Sequence, residues 1–263
     1  MHNARLARIL GQIARWIQAI FFIELAQRAG KFWSRGYTRY TQIEKPITAN
    51  IKELALAQFF QIHPETPQAR LISQSVDIIR RGGLAVYPTD SAYALGCHIG
   101  DKMALDRIRA MRRLDKHHNF TLMCRDLSEL ATYARVNNQV FRLLKNHTPG
   151  PYTFILEGTA EVPRRLMHPK RKTIGLRVPN NPIALALLEE LGEPLMTSSL
   201  LLPGDEFPMS DPYDIRDTLE HHVELVIDGG YCGIEPTTVI DLTGDAPELI
   251  RQGKGDFSIF ETN

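Results

Sequence analysis

Residues 84–96 read LAVYPTDSAYALG, an apolar run that empties into a Pro-Thr-Asp-Ser turn. Pro88 fixes its own φ and biases Tyr87 toward extended backbone, so Thr89, Asp90 and Ser91 set three short oxygen-bearing side chains where a strand has just ended. In an open α/β sheet that is where ligands bind, although the same four residues also make an ordinary turn. Two dense basic runs supply charge. Arg107, Arg109, Arg112, Arg113 and Lys116 lead into His117 and His118, and Arg164, Arg165, Lys170, Arg171, Lys172 and Arg177 follow with no acid between Arg164 and Arg177. On a helix Arg109 and Arg113 stand four apart and share a face, which would present guanidinium forks to phosphate. The plainer reading of each run is a solvated face.

Other chemistries find little support. The adjacent pairs His117-His118 and His221-His222 diverge on a helix or strand, no H-E-x-x-H occurs, and no metal site is expected. Ser198-Ser199 lacks the G-x-S-x-G elbow of a hydrolase. The 3 cysteines, Cys97, Cys124 and Cys232, form no C-x-x-C and suggest neither a disulfide framework nor a zinc ribbon, so a reducing, cytoplasmic setting is expected.

The 263 residues suffice for one large domain or two small ones, and their net charge of +1 hides a split. Residues 1–57 hold 9 Lys and Arg against 3 Asp and Glu, leaving 22 against 27 for the remainder. Nucleic-acid binding by the main domain must therefore rest on local patches. Within 1–57, the stretch Ile13 to Ala29 is apolar and flanked by arginines, but Gln18 and Glu24 interrupt it and a spanning helix needs about 20 apolar residues, so no membrane span is expected. Two readings stay open: a basic amphipathic helix lying on a membrane or partner, and an appended or mis-started segment outside the main domain, which is favoured.

Stepwise along the main domain, Thr66-Pro67 before an apolar-periodic run stopped by Gly82-Gly83 predicts a capped helix. A strand follows at Leu84 to Tyr87. Asp101 is expected to cap a second helix leading to a strand at Phe120 to Cys124. Helices are predicted near Val140 to Lys145 and Ile183 to Leu191, and strands at Thr153 to Leu156, Ile174 to Val178, Glu224 to Ile227 and Thr238 to Leu242. This alternation argues an α/β fold around a central sheet.

Further motifs recur in a definite order: PGPYTFIL (149–156), TIGLRVP (173–179), PLMTSS (194–199), TTVIDLTG (237–244) and ELIRQGKGD (248–256). Together with the Tyr-Pro-Thr turn they resemble the YrdC/YciO family of threonylcarbamoyl-AMP synthase-like proteins, from about Gln58 to Phe260. The resemblance implies an open twisted mixed sheet with surrounding helices and a concave basic surface, with residues 1–57 as a basic extension and 58–263 as the YrdC-like domain.

Family synthases form a carbamate from bicarbonate and L-threonine and adenylate it with ATP, releasing pyrophosphate. Carried across residue by residue, the resemblance implies substrate or nucleotide contacts at Thr89, Arg112, Thr153, Arg177, Ser198, Thr238 and Arg251. This chain departs from the pattern twice. Arg112 stands at the lysine and Leu114 at the arginine of the family's Lys-x-Arg, and Leu200 stands where the family's Ser-x-Asn has asparagine. Leucine removes a charge at the first place and a donor and acceptor at the second. Two functions are therefore expected: an RNA-binding protein for duplex or tRNA-like RNA, contacting it through Arg109, Arg113, Lys116, Lys170, Arg171 and Lys172; and, as the alternative, a weak threonylcarbamoyl-AMP synthase taking ATP with magnesium, L-threonine and bicarbonate.

Overall fold

A computed structural model describes residues 56–114, 118 and 120–261. The proposed extension over 1–57 thus lies outside the described residues except for Leu56 and Ala57, as do Lys116 and His117. Ala57 is buried in the core and its N–H donates to Glu220 O at 2.8 Å, so the packed domain begins before Gln58.

The strands are β1 (Gln58–Gln61), β2 (Ala85–Tyr87), β3 (Ala94–His98), β4 (Thr121–Met123), β5 (Tyr152–Glu157), β6 (Thr173–Arg177), β7 (Leu195–Ser199), β8 (Leu225–Asp228), β9 (Thr238–Asp241) and β10 (Glu248–Arg251). The helices among the described residues are α1 (Ala69–Arg80), α2 (Lys102–Arg112), α3 (Leu127–Tyr133), α4 (Asn138–His147), α5 (Pro182–Leu191), α6 (Pro212–Leu219) and α7 (Ser258–Glu261). Among the described residues one ten-stranded mixed sheet runs β1-β8-β2-β3-β7-β4-β6-β5-β9-β10. The expected α/β class and mixed sheet are what the structure shows. The Pro-Thr-Asp-Ser turn joins β2 to β3, which pair antiparallel, so it caps a pair of neighbouring strands rather than leading into a helix.

Local chemistry accounts for the helix starts. The carboxylates of Asp101 and Asp126 accept from Ala104 N and Glu129 N, and the side-chain oxygens of Asn137, Asn181 and Asp211 do the same for α4, α5 and α6. Helix α1 differs from expectation. It starts at Ala69 behind Gln68, with no side-chain cap, because the Thr66 hydroxyl is engaged 3.0 Å from His63 Nδ1.

Strand alternation divides the apolar residues between the two faces of the sheet. On one face Val86, Leu95, Leu122, Phe154, Leu176, Met196 and Ile240 join the larger core. On the other, Ala85, Tyr87, Ala94, Met123, Leu195, Leu225 and Ile227 meet Ile72, Val76 and Ile79 of α1 and Ile183, Leu187 and Leu188 of α5. These two helices pack on one another and roof only part of that face. The uncovered part becomes the floor of a hollow.

Where roof and hollow meet, the fully buried Tyr87 donates its hydroxyl to Thr197 Oγ1 at 2.8 Å. Gly96 makes room for that ring: a Cβ there would lie 2.6 Å from Tyr87 Cε1 and 2.8 Å from its hydroxyl oxygen. Gly96→Ala should therefore lower stability by about 1–3 kcal/mol, the usual cost of overpacking a core. Urea unfolding would read this as a lower midpoint at unchanged slope.

Candidate active site in the arginine-lined hollow

Residues of β4, β5, β6, β7 and β9 that point to the uncovered face are Thr121, Thr153 and Ile155, Gly175 and Arg177, Thr197 and Ser199, and Val239. Their register places them side by side: Thr121 lies opposite both Gly175 and Thr197, Ile155 opposite Gly175, and Thr153 opposite Val239. All of them line a cavity of about 610 Å³. Its floor therefore combines short hydroxyl side chains and a glycine with Ile155, Val239 and Arg177. The walls come from loops and from the C-terminal end of α2.

Arg112, the last residue of α2, donates from Nη1 to Ser198 Oγ and from Nε to Leu201 O at 3.1 Å. Arg251, at the end of β10, donates from Nη2 to Thr237 O at 2.8 Å. The Thr237 hydroxyl is in turn 2.8 Å from that of Thr153, so floor and wall hold Arg251 together. Both guanidinium groups line the cavity, and among the described residues neither has a carboxylate within 4.0 Å. Burial lowers the pKa of Arg112, and the nearby charge of Arg251 lowers it further; burial of its guanidinium end lowers that of Arg251 as well. Two like charges brought together without a counterion form a site for an anion.

Arg177 is differently placed. Its Nη2 lies 2.5 Å from Asp90 Oδ1 in a pair whose side chains are only 7% and 9% exposed, so its charge is already balanced. Within this pair Arg177 Nε and Asp90 Oδ2 are buried without a hydrogen-bond partner among the described residues. Lys254 Nζ donates to Asp90 O and ties the RQGKG segment to the same turn.

The residues expected as contacts thus separate. Arg112, Thr153, Arg177, Ser198 and Arg251 line the cavity, whereas Thr89 and Thr238 lie outside its lining. Thr89 Oγ1 donates to Ala92 O at 2.6 Å and accepts from Ser91 N and Ala92 N, so it shapes the turn. Thr238 Oγ1 donates to Gly255 O and accepts from Gly253 N, fixing the loop after Arg251. Its neighbour Thr237 is the one that faces the cavity. His118, Glu206 and Phe207 also line it and were not singled out as contacts in the sequence.

The basic runs disperse around the domain. Arg113 is the C-cap of α2 with φ of 50°, so the chain has left the helix there and Arg109 and Arg113 do not share a helical face. Arg109 stacks over Phe120 at 4.9 Å, Arg107 pairs with Glu224 at 3.0 Å, and Arg171 pairs with Asp241 at 3.1 Å. Arg113, Lys170 and Lys172 are exposed. The two leucines expected to depart from the family pattern also differ in place. Leu114 is half-buried against the larger core, and Leu200 is fully buried within it, outside the cavity lining.

No thiol is poised as a nucleophile. Burial pushes Cys97 up to about 12 and Cys232 up to about 11, and raises Cys124 well above the ordinary range. What the hollow can do is hold an anion and short polar groups against a rigid floor, the work of electrostatic and positional catalysis.

Such a hollow, half roofed by helices on a mixed sheet, is the candidate site of an α/β domain. The chain belongs to the Sua5/YciO/YrdC family, whose model, described as telomere recombination, matches residues 77–253. It is 64% identical to YciO of Escherichia coli (strain K12) over 205 residues, covering 78% of this chain and 100% of that protein. The crystal structure of E. coli YciO superposes with a TM-score of 0.76 over the same shares. More distant relatives include the threonylcarbamoyl-AMP synthase of Pyrococcus abyssi (strain GE5 / Orsay), 31% identical over 66% of this chain and 52% of that enzyme. The structure of P. abyssi Sua5 complexed with L-threonine gives a TM-score of 0.72 at 26% identity, covering 78% of this chain and 60% of that one. This chain therefore matches little more than half the length of those synthases. No helix among the described residues is long and apolar enough to cross a membrane.

Proposed function

We propose that the domain binds ATP and L-threonine in the arginine-lined hollow and converts them slowly, with bicarbonate, to threonylcarbamoyl-AMP and pyrophosphate. The observation that carries this reading is the convergence of Arg112 and Arg251 on one cavity with no carboxylate beside either. A triphosphate is a fitting partner for such a pair, and short hydroxyls on the floor suit a small polar co-substrate. Among the described residues no group of three or more His, Cys, Asp and Glu could hold a metal ion, so magnesium would arrive on the triphosphate. The family relatives named as threonylcarbamoyl-AMP synthases and the Sua5 complex with L-threonine support the substrate class.

In the proposed reaction a carbamate oxygen attacks the α-phosphorus of ATP and the bond to pyrophosphate breaks. Charge grows on the phosphoryl oxygens, where the Arg112 and Arg251 guanidinium groups donate. On the family pattern a further cation would stand at position 114, where this chain packs the Leu114 side chain against the core. One missing donor typically costs about 10² to 10³ in rate. Pyrophosphate release by this chain, assayed with ATP, threonine and bicarbonate beside a family synthase, should therefore be slower by that order. Equal turnover would contradict the role given to Leu114.

RNA binding is the second reading, favoured by the exposure of Arg113, Lys170 and Lys172. It rests on a smaller set than the sequence suggests, because Arg109 and Arg171 are engaged within the domain.

A further inference from the structure

Strands β4 and β6 run parallel as neighbours, yet their outgoing connections part. After β4 the chain turns through Arg125 and Asp126 into α3, whose buried Leu130 joins the larger core. After β6 it passes Val178 and enters α5, whose Ile183, Leu187 and Leu188 pack on the opposite face of the sheet. Adjacent parallel strands whose helices leave to opposite faces open a crevice beyond their carboxyl ends, a common ligand site of open α/β sheets. Here that crevice is a cavity of about 370 Å³. It shares no lining residue with the arginine-lined hollow: Arg177, the last residue of β6, lines the hollow, and Val178, one residue on, lines the crevice.

The crevice walls are largely apolar, built from Leu127 of α3, Phe141 of α4, Pro149, Val178 and Leu185 of α5. Phe141 is 41% exposed, a large ring left in water at a concave place. Three charged side chains share the lining. Arg125 lies 3.2 Å from Asp126 and 3.4 Å from Glu189, and the other Asp126 oxygen accepts from Glu129 N at 2.8 Å, so these charges are answered within the domain. Lys145 differs, because no carboxylate among the described residues lies within 4.0 Å of it. The result is an apolar pocket of small-molecule size with one uncommitted cation.

A polyphosphate would leave the apolar walls wet and meet the Asp126 carboxylate. A neutral hydrocarbon would leave Lys145 unanswered. A monoanion on a compact apolar body suits both. We propose that this crevice is a second ligand site, and that it takes a small carboxylic acid carrying a single ring, with the ring against Phe141 and Leu185 and the carboxylate paired with Lys145. The proposal is independent of nucleotide binding in the hollow.

Ligand-observed NMR titration of the full chain with phenylpropionate and its neutral amide, phenylpropionamide, tests it. Wild type should bind the acid saturably and about tenfold or more tightly than the amide, the usual gain from a hydrogen bond to a charged group. Lys145→Ala should abolish that preference and leave the affinity for the amide unchanged. Leu185→Trp, which fills the crevice from a half-buried wall, should remove binding of both compounds. Phe141→Ala, at an exposed ring where little folding energy is at stake, should weaken both together. Saturating tripolyphosphate, a competitor for the hollow, should displace neither. The proposal is overturned by the absence of saturable acid binding, by an acid preference that survives Lys145→Ala, by wild-type affinity in Phe141→Ala, or by displacement with tripolyphosphate.

Discussion

A chain in which Arg112 and Arg251 are both alanine should bind ATP at least about 100-fold more weakly than wild type. Hydrogen bonds to charged groups contribute about 1.5–3 kcal/mol each, and the double variant loses both cations that face the cavity without a carboxylate beside them. Folding should be little affected. Arg112 gives up bonds to Ser198 Oγ and Leu201 O, and Arg251 one to Thr237 O, all at a solvent-reached wall. Burial disfavours both charges at present, and the nearby Arg251 disfavours that of Arg112 further, so the loss removes some strain as well. Thermal unfolding close to wild type together with abolished binding separates an anion site from a structural role. The control is Arg107→Ala, which removes an arginine of the same run whose partner is Glu224.

The second large effect concerns Leu200. From the family pattern alone, Leu200→Asn would restore an orienting amide and raise activity. The structure reverses that expectation: Leu200 has 0% exposure and packs in the larger core, while its N–H donates to Tyr93 O at 2.9 Å. Asparagine there would lose apolar burial, worth about 2–5 kcal/mol in large-to-small core changes, and would bury an amide at a further cost of about 1–3 kcal/mol. Leu200→Asn should therefore lower stability by about 4 kcal/mol or more, with no gain in pyrophosphate release. Denaturant unfolding and the turnover assay on the same preparation check both halves. A stable variant with raised turnover would mean that residue 200 reaches the cavity.

Much of this was legible in the sequence wherever a pattern has a local cause. Asp101 before a periodic run, Asn181-Pro182 before ALALL, and the alternating apolar strands all carry their structural meaning within a few residues. Helices α3 and α6 carried signals too: Asp126 with Glu129 three residues on, and Asp211 followed by Pro212, are the N-terminal chemistry seen elsewhere in this chain. Strand β10 is exposed throughout, so no burial pattern marked it. The site was legible in part. Arg112, Arg177 and Arg251 stand in recognisable motifs, but sequence position says nothing of which arginine has a carboxylate beside it. Asp90 is 87 residues from Arg177, and only the pairing of distant strands brings them to 2.5 Å. Likewise the choice between Thr237 and Thr238 depends on strand parity, which the register with Thr153 fixes.

The most direct test of the central claim is titration of the wild-type chain with ATP at physiological salt, in the absence and presence of duplex RNA. A cavity that holds the triphosphate between Arg112 and Arg251 predicts saturable binding of one ATP per chain, unchanged by RNA and lost in the double arginine variant. Failure to bind ATP, with RNA binding that weakens when Lys170 and Lys172 are replaced, would contradict it.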